Sequence, residues 1–199
     1  MTRRALVPLL LLVAFSSLGC RKLIAGLKKT GADAGTTPTF AHNEGVDVEL
    51  ANLRITMPGK PKSSTSTEKS EVGTVVITKN ELTVGDSYFA ASVIVVPDAK
   101  SWNSAGSVNG AIDNALASFR GQKGTTAVRS TRESSVTIGG MTGRDVSAVV
   151  ERSNAVPLYA RLLSVSSKNR NVFVLVLVYS EDDPLVKKMF TSFRESGAP

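Results

Sequence analysis

Nucleophilic catalysis needs a base beside the nucleophile, and the usual base is a histidine. The chain has one, His42. It stands at the edge of a small-residue, polar stretch, where an incidental role is the simpler reading. Serines are numerous, yet no Gly-x-Ser-x-Gly elbow occurs, so a serine hydrolase is not expected. Zinc chemistry asks for clustered His and Cys, and the chain has a single cysteine, Cys20. The densest acidic run, Glu181-Asp182-Asp183, offers oxygen ligands to calcium, but it precedes Pro184 and fits the start of a helix better. Neither a Walker loop nor Gly-x-Gly-x-x-Gly is present, so no nucleotide cofactor is implied. Two carboxylates meeting in space would be needed for a glycosidase-type hydrolase, and sequence spacing gives no pair that stands out.

Two features suit binding better than catalysis. Arg120, Lys123, Arg129 and Arg132 form a basic stretch, without the interleaved aromatics that stack on bases, so nucleic acid is not the expected partner. A solvated face is the simpler reading, and a docking patch for an acidic protein the sharper one. Trp102, the sole tryptophan, lies in a loop before a helix. It serves either as a cap over the end of a sheet or as a surface anchor for a partner.

Charge is unevenly placed. The chain holds 24 Lys and Arg against 17 Asp and Glu, a formal net of +7. Arg3, Arg4, Arg21, Lys22, Lys28 and Lys29 precede Phe40, as does one acid, Asp33; from Phe40 to Pro199 the balance is therefore 18 against 16. The excess lies at the amino end, beside Cys20. There, Arg3 and Arg4 open a leader, the 14 residues Ala5–Leu18 are almost wholly apolar, and Gly19-Cys20 closes it. This resembles a bacterial lipoprotein signal with cleavage after Gly19 and acylation of Cys20, with Ser17 where leucine is usual. The alternatives are a plain secretory signal cut elsewhere or an uncleaved anchor; a span is disfavoured, because a bilayer needs about 20 apolar residues. An acylated Cys20 leaves no thiol for a disulfide, so the domain has to stand on its core.

Residues 20–39 read as the lipidated cysteine and a basic tether. Leu23, Ile24 and Leu27 interleave with Arg21, Lys22, Lys28 and Lys29, so the tether is either solvated or a short amphipathic turn on anionic lipid. Thr30 to Thr39 is small and polar, and the tether's reach is about 25 Å. Residues 40–199 suit a single domain. The expected location is the cell envelope, lipid-anchored. Arg21 is not the aspartate that marks inner-membrane retention in enteric-type sorting, so the outer membrane is preferred.

The elements that position these residues follow from periodicity. Val46 to Met57 is a strand candidate with a break at Ala51-Asn52, stopped by Pro58-Gly59-Lys60-Pro61. Ser64 to Glu71 and Thr74 to Leu82 form a polar hairpin about Val72-Gly73. Tyr88 to Val96 and Val172 to Tyr179 are apolar on both faces, which marks them as interior strands. Val108, Ile112, Ala115, Leu116 and Phe119 recur at helical spacing, with Ser107 as the expected cap and Gly121 as the end. A second helix starts at Asp182-Asp183-Pro184, its apolar face Leu185, Met189, Phe190 and Phe193. Strands are expected at Ala127 to Thr137, Gly143 to Arg152 and Leu158 to Ser166, and a turn at Asn169-Arg170-Asn171. The order predicts an α+β domain, a mainly antiparallel twisted sheet with two principal helices against it.

Three short segments carry a family resemblance: Ile55-Thr56-Met57-Pro58-Gly59-Lys60-Pro61, Gly139-Gly140-Met141-Thr142-Gly143-Arg144-Asp145, and Phe190-Thr191-Ser192-Phe193. Over Val46 to Arg194 the chain resembles bacterial envelope domains of the PsbP-like α/β/α sandwich type. The resemblance implies that fold and a non-catalytic accessory or assembly role in a membrane-linked complex. The expected function is therefore a non-enzymatic lipoprotein that binds or supports an envelope protein near the membrane. The alternatives are a small-molecule or lipid-binding module with a pocket between sheet and helix and, third and disfavoured, a carboxylate-based hydrolase.

Overall fold

The computed structural model describes residues 45–70, 73–85, 87–97, 102–153 and 155–196. Gly19, Cys20, the tether and His42 lie outside the described residues. Among the described residues, ten strands and two helices follow in the order β1 (Val46–Leu50), β2 (Leu53–Met57), β3 (Lys62–Ser70), β4 (Gly73–Val84), β5 (Ser87–Val95), α1 (Ser104–Arg120), β6 (Thr125–Ile138), β7 (Met141–Arg152), β8 (Ala155–Ser167), β9 (Arg170–Val178), α2 (Pro184–Thr191) and β10 (Arg194–Glu195). Seven strands form one antiparallel sheet in the order β3-β4-β5-β9-β8-β7-β6, and a smaller sheet is ordered β1-β2-β10. The α+β class and the mainly antiparallel sheet are as the patterning predicts.

β9 is the middle strand and β5 its neighbour, which explains why both are apolar throughout. Phe173, Leu175 and Leu177 of β9, with Tyr88 of β5, pack under α1. Val172, Val174, Val176 and Val178, with Phe89, Ala91 and Val93, pack on the opposite side against β1, β2 and α2. α1 lays Ala111, Ile112, Ala115, Leu116 and Phe119 against β7, β8 and β9. Phe119 is fully buried, and emptying its site costs about 3–5 kcal/mol.

Four local expectations change. The break at Ala51-Asn52 is a hairpin turn: Ala51 has φ 62°, and Leu50 pairs with Leu53. This hairpin leaves the main sheet and, with α2, covers its second face, so the two helices do not share that work equally. Asn103, and not Ser107, caps α1, its extended backbone letting Oδ1 accept from the Gly106 N–H at 2.9 Å. The apolar rhythm begins only at Val108, so it hid the first turn. On α2, Val186 is buried beside Met189, while Leu185, Phe190 and Phe193 are partly buried against the same core. The turn before β9 is Lys168-Asn169, because Ser167 pairs with Arg170; Asn171 is in the strand, wholly buried.

Candidate interaction surface

Strand alternation sends the residues singled out above to different faces. On the α1 face, at its amino end, a polar seam joins helix, sheet and turn. The Trp102 Nε1–H donates to Ser166 Oγ at 2.9 Å, and that hydroxyl donates to the Arg170 carbonyl at 2.8 Å. Ser104 Oγ donates to the Ser167 carbonyl at 2.9 Å, and Asn171 Nδ2 to Ser164 Oγ at 3.0 Å. Trp102 is half-buried and tied to the β8-β9 end of the sheet, as a cap would be. Ser107 Oγ and Asn171 Oδ1 are buried without a hydrogen-bond partner among the described residues.

The opposite face holds the arginines. Arg129 and Arg132 stand on β6 across from Val149 and Ser147 of β7. Asp145 lies one pleat on, its side chain only 9% exposed. Arg161 of β8 clasps it with two bonds, Nε to Oδ1 at 3.2 Å and Nη2 to Oδ2 at 2.7 Å. Arg132 Nη2 lies 3.5 Å from the same Oδ2, with 58% of its side chain exposed. The Arg161 guanidinium is stacked on the Phe190 ring, 3.9 Å from its centroid, which locks α2 to this corner. Arg129, 70% exposed, is paired with Glu151. The Asp145 carboxylate fixes Arg161 by two hydrogen bonds and attracts Arg132 by an ion contact, which leaves donors of Arg132 facing water.

The segment Gly139–Asp145 acquires a physical account here. Gly139 and Gly140 turn the chain with φ 55° and 69°. Gly143 lets β7 run against β8, since a Cβ there would stand 1.8 Å from the Ser164 carbonyl oxygen. Arg144 reaches to the α1 side, Nε donating to Glu133 at 2.8 Å and Nη1 to Asn109 at 2.9 Å. Asp145 points the other way into the arginine corner.

At the carboxyl end Arg194 Nη2 donates to Asp47 at 2.5 Å, and Thr56 Oγ1 donates to the same carboxylate at 2.6 Å. The Thr56 hydroxyl, opposed in part by desolvation and aided by Arg194, holds the Asp47 carboxyl below its ordinary range. Glu49 is lowered likewise, first by the Ser196 hydroxyl and then by Arg54. The acidic run resolves as helix capping, with Asp183 Oδ1 accepting from the Leu185 N–H at 2.8 Å. Among the described residues no cluster of three His, Cys, Asp or Glu is placed to hold a metal, and no helix is long and apolar enough to cross a membrane.

Trp102 and the Arg129/Arg132 pair are thus not one patch; the sheet lies between them. Sequence reading missed Asp145, Arg161 and Phe190 as members of the arginine corner. The signal was present: a charge inside an otherwise buried strand needs a partner, and both Asp145 and Arg161 are such charges.

No protein family matches the chain, and no curated protein does. Among solved structures it is similar to the cyanobacterial PsbP of Synechocystis, at 11% identity, TM-score 0.46, over 81% of this chain and 98% of that one. A protein of unknown function from Pseudomonas aeruginosa aligns at 7% identity, TM-score 0.36, over 75% and 92%. A crystal structure from Bacteroides thetaiotaomicron aligns at 12% identity, TM-score 0.35, over 78% of this chain and 49% of that one.

Proposed function

We propose that the chain is a non-enzymatic envelope lipoprotein, acylated at Cys20, whose α+β domain binds a protein partner near the membrane through the arginine corner. The observation that carries the binding surface is Arg132, held at 3.5 Å from Asp145 with 58% of its side chain exposed. The ion contact with Asp145 biases its guanidinium towards this corner and leaves its donors free to meet an acidic surface. Support for the anchor comes from the leader ending Gly19-Cys20 and the basic residues that follow it. Trp102 is a second contact for a partner that reaches the α1 face.

Intact mass measurement of the chain extracted from its native membrane, beside a Cys20→Ser variant, tests the anchor. A diacylglycerol-modified chain beginning at Cys20 is the expected result, and an unmodified mass refutes it. Photo-crosslinkers placed at Arg129 and Trp102 test the two faces separately. Capture of one acidic envelope protein at position 129, lost on Arg132→Glu, is expected; equal capture at every exposed control position refutes the site.

The second reading, a small-molecule module, rests on the buried Asn171 Oδ1 and Ser107 Oγ at the junction of sheet and helix. It predicts a bound polar molecule retained in native mass spectra and released by Asn171→Leu.

A further inference from the structure

The main sheet ends in two strands of different character. β6 carries register irregularities at Thr125/Ala127 and Ser130/Arg132, and the exposed charges of Arg129, Arg132 and Glu133. Such bulges and charges keep a free edge from pairing. β3 has no such bulge, and its charges, Lys62, Glu68 and Lys69, stand only towards its two ends. Its nine residues pair with β4 without a register shift, Ser63 to Thr67 is uncharged, and Lys62 to Thr67 are exposed. Among the described residues β4 is its only strand neighbour, so alternate N–H and C=O groups of β3 point away from the sheet.

We infer that β3 pairs antiparallel with β3 of a second copy of this chain, about a two-fold axis through Thr65, joining two seven-stranded sheets into one. Charge complementarity selects that register. With the axis at Thr65, Lys62 stands opposite Glu68 of the second copy, and the symmetry makes this pair twice. Ser63 then meets Thr67, Ser64 meets Ser66, and Thr65 meets its own counterpart. Within its own chain Lys62 is already opposite Glu81, so it would lie between two carboxylates. Thr65 Oγ1 is 3.2 Å from Thr78 Oγ1, and the axis extends that pair into a ladder of four threonines. An axis through Ser66 would put Glu68 opposite Ser64 and lose both ion pairs. An axis between Thr65 and Ser66 is excluded by the pleat, because residues directly opposite share a face and consecutive residues of one strand do not. The favoured arrangement keeps α1 of both copies on one side of the joined sheet. A two-fold interface of this kind is self-complementary and closes, so it does not propagate.

Sedimentation equilibrium of the full chain, dispersed in detergent, is the test, with circular dichroism to confirm that each exposed substitution leaves the fold intact. A monomer–dimer equilibrium that weakens with added salt is expected. Lys62→Glu and Glu68→Lys should each weaken it about tenfold, since each turns two cross-strand attractions into repulsions, and the double exchange should restore it. In a Cys20→Ser background, Thr65→Cys should oxidise to a dimer linked through that residue, and Ser66→Cys should not. A monomer at every concentration overturns the inference. So does a dimer indifferent to both single exchanges, or preferential linkage through Ser66→Cys.

Discussion

Replacing Gly143 by alanine probes the tightest approach found at a glycine among the described residues. An added Cβ would meet the Ser164 carbonyl oxygen at 1.8 Å, the Ser164 carbonyl carbon at 2.7 Å and Val165 Cα at 2.7 Å, where ordinary contact begins at 3.4 Å. Local separation of about 1.6 Å between β7 and β8 would be required. No flexible side chain can absorb it, because all three atoms are backbone and β8 is held on its other side by β9. Ser164 and Val165 are fully buried, so the strain falls within the core. Overpacking costs 1–3 kcal/mol in ordinary cores; a clash against backbone belongs at the upper end, about 3 kcal/mol. At 2–4 °C per kcal/mol for a domain of this size, the melting temperature should fall by about 6–12 °C. Gly140→Ala is the control: its Cβ meets nothing within 4 Å, and only the φ of 69° is unfavourable. That variant should lose about 1 kcal/mol. Paired urea and thermal melts give both values, with an unchanged urea slope expected in each. A Gly143→Ala protein melting within about 2 °C of the parent, or less disturbed than Gly140→Ala, would refute the reasoning.

Further outcomes follow from the same contacts. Asp145→Asn should cost about 2 kcal/mol in urea titration, because it strips the charge from a nearly buried carboxylate held by Arg161; Arg132→Ala, at an exposed position, should cost less than about 0.5 kcal/mol. The lowered carboxyls of Asp47 and Glu49 contribute stability that is present above the ordinary carboxylate pKa and lost as pH falls through their folded values. The acid limb of a stability-against-pH curve should therefore flatten in Asp47→Asn. Trp102→Phe removes the bond to Ser166 and should cost about 1 kcal/mol; in the parent, the fluorescence of this sole tryptophan should shift to the red when the amino end of α1 opens. Asn103→Ala removes the α1 cap at a cost of about 1 kcal/mol, read from the thermal midpoint.

What the sequence by itself determined is what depends on local pattern. Apolar runs on both faces marked β5 and β9 as interior, because a strand covered on two sides has no polar positions to spare. Helical spacing located the buried face of α1 but on α2 missed the buried Val186 beside Met189, while Pro184 behind Asp183 marked the start of that helix. Tertiary structure decided whatever depends on which distant segments meet. The hairpin at Ala51-Asn52 belongs to a second sheet because β10, well over a hundred residues later, pairs with β2. Asn171 is buried because β9 registers against β5 and β8, a choice set by long-range pairing and invisible in its polar neighbours. The arginine corner draws Arg132, Asp145, Arg161 and Phe190 from three strands and a helix. Each was legible only as a residue type. Their positions around one carboxylate follow from the pleat, which puts alternate residues of each strand on opposite faces and so parts these arginines from Trp102.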